Sequence, residues 1–190
     1  MTDRDVFHVL LNHLSDEALI VANGYLSRQA FACRDRQMTF YMLGSMGLAS
    51  SIGLGVALSR PERRVVVVDG DGNLLMSLGA LAMIGNSQPS NLVHLLLDNE
   101  MYASTGGQRS VSASVAMTEL ALAAGYRNGV SVGDEASLQT AIKDTWARPG
   151  PSFIVAKVNP EDVIGPRVTR SPSEITRSFK KSVASGNAPS

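Results

Sequence analysis

The sequence predicts an α/β fold, with a mainly parallel sheet carrying helices on both faces. Three observations carry that expectation. Strand-like and helix-like stretches alternate along all 190 residues, the pattern that parallel crossover units leave in a sequence. Two short apolar runs, Val65–Val68 and Leu92–Leu97 with only His94 interrupting, have the length and character of strands buried between two helical layers. Both runs end in polar turn residues, Gly70-Asp71-Gly72-Asn73 and Asp98-Asn99-Glu100, at the strand ends where open parallel sheets bind their ligands.

The elements follow in order. Asp3 is expected to cap a helix to about Leu14, with Val6, Val9 and Leu10 on one stripe and His8 and His13 at its surface or boundary. A strand over 19–22 leads through Asn23-Gly24-Tyr25 into a helix over 26–33, and a polar loop over 34–39 precedes an extended segment at 40–42. Residues 43–60, LGSMGLASSIGLGVALSR, are helical in character but carry Gly44, Gly47, Gly53 and Gly55. Each glycine costs a helix ~1 kcal/mol relative to alanine, so close packing or a ligand is expected there, with packing the reading for Gly53 and Gly55. A short helix over 73–78 and another over 79–86 complete the crossover between the two apolar runs, and Pro89 ends it. The loop that follows Asn99 contains Gly106-Gly107. Helices are expected over 118–124 and 135–146, the second capped by Asp134, with strands at 130–132 and 152–158. Residues 159–170 read as an irregular loop, Ser171 begins a last helix to about Val183, and 185–190 read as a disordered tail. No internal repeat is evident, and residues 1–184 form one expected domain.

Composition removes several classes of function. Seventeen basic and seventeen acidic residues balance to a net charge of zero, which gives no electrostatic footprint for nucleic acid. No apolar run approaches the ~18 residues of a membrane span, and the first ten residues lack the pattern of a secretory signal. A single cysteine, Cys33, excludes a disulfide framework. It reads as a small buried hydrophobe in a cytoplasmic setting.

The chemistry concentrates in residues 63–108. Asp71 and Asn99 each deliver a hard oxygen at a strand end. One carboxylate, one amide oxygen and nearby carbonyls suit Mg²⁺ or Ca²⁺ rather than zinc, and such a sparse set usually completes its shell with phosphates. The N-terminus of the short helix after Asp71 also suits a diphosphate. Neither GxGxxG nor GxxxxGK[ST] occurs, so an ordinary nucleotide-binding module lacks its phosphate loop.

Gly70-Asp71-Gly72-Asn73, followed one crossover later by Asp98-Asn99, resembles the metal and diphosphate motif of thiamine-diphosphate enzymes. The resemblance extends over about residues 16–160. It implies a three-layer, doubly wound domain with a six-stranded sheet, thiamine diphosphate and Mg²⁺ as cofactors, and Asp71, Asn99 and the carbonyl of Met101 as metal ligands. Asp98 departs from the asparagine usual at its position, which is not a ligand in the family. The resemblance further implies Met46 as the apolar wedge beneath the bent cofactor and the Gly44 carbonyl as acceptor for its aminopyrimidine. Gly24, Tyr25, Ser45, Gly70, Gly72, Asn73, Tyr102, Ala103 and Ser104 are implied as cofactor contacts. Thr105 is implied beside the reacting centre, and Arg28, Gln108 and Arg109 are candidates for a substrate anion.

Family members need a second, pyrimidine-binding domain that supplies a glutamate, and nothing in this chain reads as one. A partner α-type subunit is therefore expected, docking on an apolar, glycine-rich face around 44–54. Within the family the resemblance is to the groups that decarboxylate small anionic 2-oxo acids, 3-sulfopyruvate or 3-phosphonopyruvate. A cofactor-binding subunit without catalysis is the alternative from a different class.

Overall fold

The computed structural model describes residues 1–160 and 165–185. The loop expected over 159–170 lies partly, and the tail expected over 185–190 mostly, outside them; Ser185 is the C-terminal cap of the last helix.

The chain runs α1 (Asp3–His13), β1 (Ala18–Val21), α2 (Tyr25–Cys33), β2 (Thr39–Tyr41), α3 (Ala49–Ser59), β3 (Val65–Gly70), α4 (Asp71–Leu75), α5 (Gly79–Ser87) and β4 (Leu92–Asp98). It continues through β5 (Met101–Tyr102), β6 (Gln108–Arg109), α6 (Met117–Ala123), β7 (Asn128–Val132), α7 (Glu135–Ala147), β8 (Ser152–Lys157) and α8 (Pro172–Ala184). Six strands form one sheet in the order β2-β1-β3-β4-β8-β7, and every pairing in it is parallel. The six-stranded doubly wound expectation is borne out.

Position in the sheet explains the sequence of each strand. β3 and β4 are central, and every residue from Val65 to Asp69 and from Leu92 to Asp98 is buried, so neither face can be polar without an internal partner. β7 is an edge strand and is half exposed. The other edge, β2, is covered by α8, whose Phe179 ring meets Phe40 edge-on with centroids 5.5 Å apart. α1 packs against α2 and α7, while α3 packs on β3 and against α5. Gly53 is the contact that permits the latter: a Cβ there would lie 2.1 Å from Val67 Cγ2. Gly55, expected to be packed, instead faces open space.

Two further expectations are corrected. The first helix is capped by Thr2, not Asp3: the Thr2 hydroxyl accepts from the Asp5 amide while the Asp5 carboxylate accepts from the Thr2 amide. The helix expected from residue 43 begins only at Ala49. Residues 43–48 form a loop in which Ser45 (φ 63°) and Gly47 (φ 90°) are both left-handed, a conformation no helix interior contains.

Candidate functional site

All six strands point their C-terminal ends to one edge of the sheet. The chain leaves β1 toward β2 on one side and later returns to place β3 on the other. The strand order therefore reverses between β1 and β3, and such a switch point leaves a crevice between the diverging loops. A solvent-open cleft lies there.

Strand ends, loops and helix starts line it. Ala22 and Asn23 follow β1, and Tyr25 and Leu26 begin α2. Gly70 ends β3 and Asp71 to Asn73 begin α4, Leu97 and Asn99 lie at the end of β4, and Met101 to Ser104 form a further wall. Met46 enters from the loop before α3, and Asp3 from α1. Close approach fixes the wall. A Cβ on Gly72 would meet the Tyr102 ring at 2.5 Å, whereas Gly24 is held to glycine by its left-handed backbone (φ 83°) and stands at ordinary contact distance from Ser104.

Behind the cleft lies a buried acidic centre. Asp71 is 3% and Asp98 1% exposed. Ser112 Oγ lies 2.9 Å from Asp71 Oδ2, 2.7 Å from Asp98 Oδ1 and 2.8 Å from the Ser110 hydroxyl that donates to it. Burial pushes the Asp71 carboxyl above the usual carboxylate range and Asp98 adds to this, while hydrogen bonds from Ser110 and Ser112 pull the other way. A cation at Asp71 would relieve both unfavourable contributions. Asp98 has its own compensation: Lys157, directly across the strand pair on β8, donates to its Oδ2 at 2.6 Å and to Glu100 at 3.0 Å. Partial burial would lower the Lys157 pKa, but these two bonds outweigh it and hold it up. The carboxylate that stands at position 98 is thus half of an ion pair.

Asn99 opens a tight turn. Its Oδ1 accepts from the Met101 amide at 3.1 Å, and Glu100 between them is left-handed, φ 60°. An amide oxygen has a second lone pair, so Asn99 can still serve a cation. Among the described residues no three His, Cys, Asp or Glu side chains converge on a common point; any metal here draws on Asp71, an amide and backbone carbonyls. Asn23 adds a further sign of a ligand. Its Oδ1 is buried at the cleft with no hydrogen-bond partner, an arrangement that costs free energy unless something fills it. A hard cation with an anionic, partly apolar cofactor fits this donor set, this orphaned oxygen and the apolar side chains of Met46, Leu26 and Leu97.

The expected site residues divide into three groups. Gly24, Tyr25, Met46, Gly70 to Asn73, Asn99 and Met101 to Ser104 come together in or immediately around the cleft. Gly44 and Ser45 instead border an adjoining apolar groove with Phe40, Leu43, Leu48 and Ile52. The remainder do not reach the cleft. Thr105 and Gln108 are exposed and hydrogen-bond to each other across the β5–β6 turn. Arg109 is exposed on β6. Arg28 donates to the Gly165 carbonyl at 2.7 Å and lies over the Tyr25 ring. Asn73 is present, but its side chain is spent internally, on Gly47 and Asp69. Sequence reasoning missed Asn23, Ser110, Ser112 and Lys157. The serines and the lysine carry no motif, and Lys157 is recognisable only once the register of β4 on β8 is known.

Comparison with known proteins agrees with this geometry. The family model described as "Thiamine pyrophosphate enzyme, C-terminal TPP binding domain" matches residues 22–156. Phosphonopyruvate decarboxylase of Streptomyces viridochromogenes is 44% identical over 168 residues, covering 87% of this chain and 42% of that one. The chain thus spans less than half the length of that relative. Sulfopyruvate decarboxylase subunit beta of Methanococcus maripaludis is 37% identical over 183 residues, covering 96% of this chain and 98% of that one. The corresponding subunit of Methanothermobacter thermautotrophicus is 42% identical over 170 residues, covering 90% and 89%. An X-ray structure of a thiamin diphosphate-dependent enzyme from Mycobacterium smegmatis superposes with a TM-score of 0.73 over 85% of this chain and 32% of that one, at 22% identity; at that identity it speaks for the fold alone.

Proposed function

The chain belongs to the thiamine pyrophosphate enzyme family, through the domain that binds the cofactor, and on that premise we propose that it is the β-type subunit of a decarboxylase acting on 3-sulfopyruvate. The products are sulfoacetaldehyde and CO₂. The observation that carries the reading is the cleft at the β1–β3 switch point, where Asp71, Asn99, Met101 and Met46 converge from separate elements. A near full-length match to sulfopyruvate decarboxylase beta subunits supports the substrate. The match to phosphonopyruvate decarboxylase at 44% identity favours a second reading, in which the head group is a phosphonate.

In this reading Asp71, Asn99 and the Met101 carbonyl would hold Mg²⁺, which would supply the charge that binds the diphosphate. Backbone N–H groups of Gly72 and Asn73, with Ser104, complete the diphosphate contacts. Met46 would supply the apolar support for the cofactor, and the Gly44 carbonyl would accept from its aminopyrimidine. Thiamine diphosphate, when bound, supplies the electron sink that lets the 2-oxo acid lose CO₂. The chain's own part is to fix that cofactor, to screen it from water with the 101–104 wall, and to keep a fixed negative centre at Asp71 for the cation.

A partner subunit carrying the pyrimidine domain supplies the glutamate. The acidic groups nearest the motif support this: Asp98 and Glu100 are both committed to Lys157, at the metal end of the cleft. Beside the groove at Gly44 and Ser45, Leu43 (50% exposed), Leu48 (46%) and Met76 (62%) form a surface suited to such a partner. The cleft walls carry no Lys or Arg among the described residues, so the partner also supplies the charge for the sulfonate.

The test is CO₂ and aldehyde release from 3-sulfopyruvate and 3-phosphonopyruvate, with thiamine diphosphate and Mg²⁺, by this chain alone and with its partner. Turnover is expected only in the complex. Full turnover by this chain alone would overturn the shared-site reading, and a preference for the phosphonate would select the second substrate.

A further inference from the structure

Met46 reaches the cleft on a loop whose backbone is poorly suited to its own sequence. Ser45 (φ 63°) and Gly47 (φ 90°) flank it in the left-handed region, which an L side chain such as Ser45 adopts only where its surroundings hold it. The groups that hold it are visible. A Cβ on Gly47 would lie 3.2 Å from Ser77 Cβ and 3.3 Å from Met76 Cβ, so the turn after α4 packs closely on the loop and leaves little room for a side chain at 47. The Gly47 amide donates to Asn73 Oδ1 at 2.8 Å in a buried bond. The other end of that carboxamide, Nδ2, donates to Asp69 Oδ1. Asp69 is fully buried, and the same oxygen accepts from the Gly70 amide at 2.9 Å. Its second oxygen faces His94 Nε2 at 3.4 Å, and His94 Nδ1 in turn meets the Tyr126 hydroxyl at 3.0 Å.

We propose that Asn73 is a positioning residue: its carboxamide, anchored on Asp69 at the end of β3, clamps the left-handed Ser45–Gly47 turn and thereby sets the height of Met46 in the cleft. The proposal rests on reading the cleft as the thiamine diphosphate site. The chemistry of the residue fits the task. A clamp between a backbone N–H and a buried carboxylate needs an acceptor at one end and a donor at the other, on a side chain this short, and among side chains only asparagine provides that pair at that length. Aspartate would set a second carboxylate against Asp69. Serine is too short to bridge. Alanine leaves the Gly47 amide unpaired in the interior.

The test uses Asn73→Ala and Asn73→Ser, with two readouts. The first is amide hydrogen exchange of the whole chain without cofactor. Loss of the buried hydrogen bond that protects the Gly47 amide predicts about tenfold faster exchange of peptides covering 44–48, with β3 and β4 unchanged. The second is steady-state kinetics of the complex, where turnover falls while KM for the 2-oxo acid stays within about twofold, as expected when only the transition-state geometry is lost. Unchanged exchange at 44–48 would overturn the proposal. So would a uniform rise across the chain, which marks a merely structural role. Should Asn73→Ala not fold, Asn73→Ser gives the same comparison. Failure of the wild-type chain and its partner to bind thiamine diphosphate overturns the functional reading instead, and leaves the exchange result to decide the clamp.

Discussion

Gly72→Ala places a methyl group against the ring of Tyr102. The added Cβ would lie 2.5 Å from Cε1 and 2.6 Å from Cδ1, where carbon atoms normally stand about 3.5–4.0 Å apart. The ring must therefore retreat by about 1 Å. It cannot do so freely, since Tyr102 pairs with Gln108 across the β5–β6 ladder and its carbonyl accepts from the Gly107 amide at 3.1 Å. Overpacking of this kind costs about 1–3 kcal/mol. Position 72 lies inside α4 without a left-handed backbone, so alanine also regains about 1 kcal/mol of helix propensity. The net expectation is a loss of about 1 kcal/mol, or about 2–4 °C in Tm for a chain of this size.

The assay is a double-mutant cycle with Tyr102→Ala, read by thermal unfolding. With the ring gone, Gly72→Ala should change sign and become neutral or mildly stabilising. The coupling energy should fall at about 1–3 kcal/mol, within the range of directly contacting side chains. Calorimetry on the single variant should show weaker thiamine diphosphate binding, because the displaced ring belongs to the cleft wall. A cycle additive to within about 0.5 kcal/mol would refute the contact, and with it the account of how the 101–104 wall is held.

Three further outcomes are expected. Asp71→Asn should abolish Mg²⁺-dependent cofactor binding without lowering the Tm of the metal-free chain, because burial and Asp98 already disfavour the Asp71 carboxylate; undiminished affinity would remove Asp71 from the metal site. Met46→Ala should retain cofactor but slow turnover of the complex by up to about a hundredfold, the scale of a misplaced reacting group, and unchanged turnover would reduce Met46 to packing. Gly53→Ala, which drives a Cβ to 2.1 Å from Val67 Cγ2, should lower Tm, whereas Gly55→Ala on the open face of the same helix should leave it level or raise it; equal effects would contradict the packing of α3.

The parts of the molecule that were legible in the sequence are those fixed by burial. β3 and β4 could be read because a strand covered on both faces is mostly apolar, with Asp69, His94 and Asp98 its few buried polar residues, and Asp71 and Asn99 could be placed because they directly follow those strands. The loop at 43–48 was misread as helix because small and apolar residues suit a helix as well as a tight loop, and nothing in the letters reveals that Ser45 is left-handed. The β5–β6 hairpin has two residues per strand, too few for any period. Asn73 could be read as a residue beside a ligand, but not as one whose amide faces inward, since that depends on where Gly47 arrives. The same limit explains the arginines. A positive charge near a motif suggests an anion site, yet Arg28 is drawn to the Gly165 carbonyl and Arg109 is carried outward on β6. The cleft then has a buried acidic centre behind it whose lysine, Lys157, is committed to Asp98 and Glu100, and no Lys or Arg in its walls among the described residues. On the proposed function a metal, with the backbone N–H groups of Gly72 and Asn73, would hold the cofactor diphosphate, and the charge for an anionic substrate would come from outside this chain. On the proposed function the electrostatics of the cleft thus lead to the same requirement as the absent glutamate: a second subunit at its mouth.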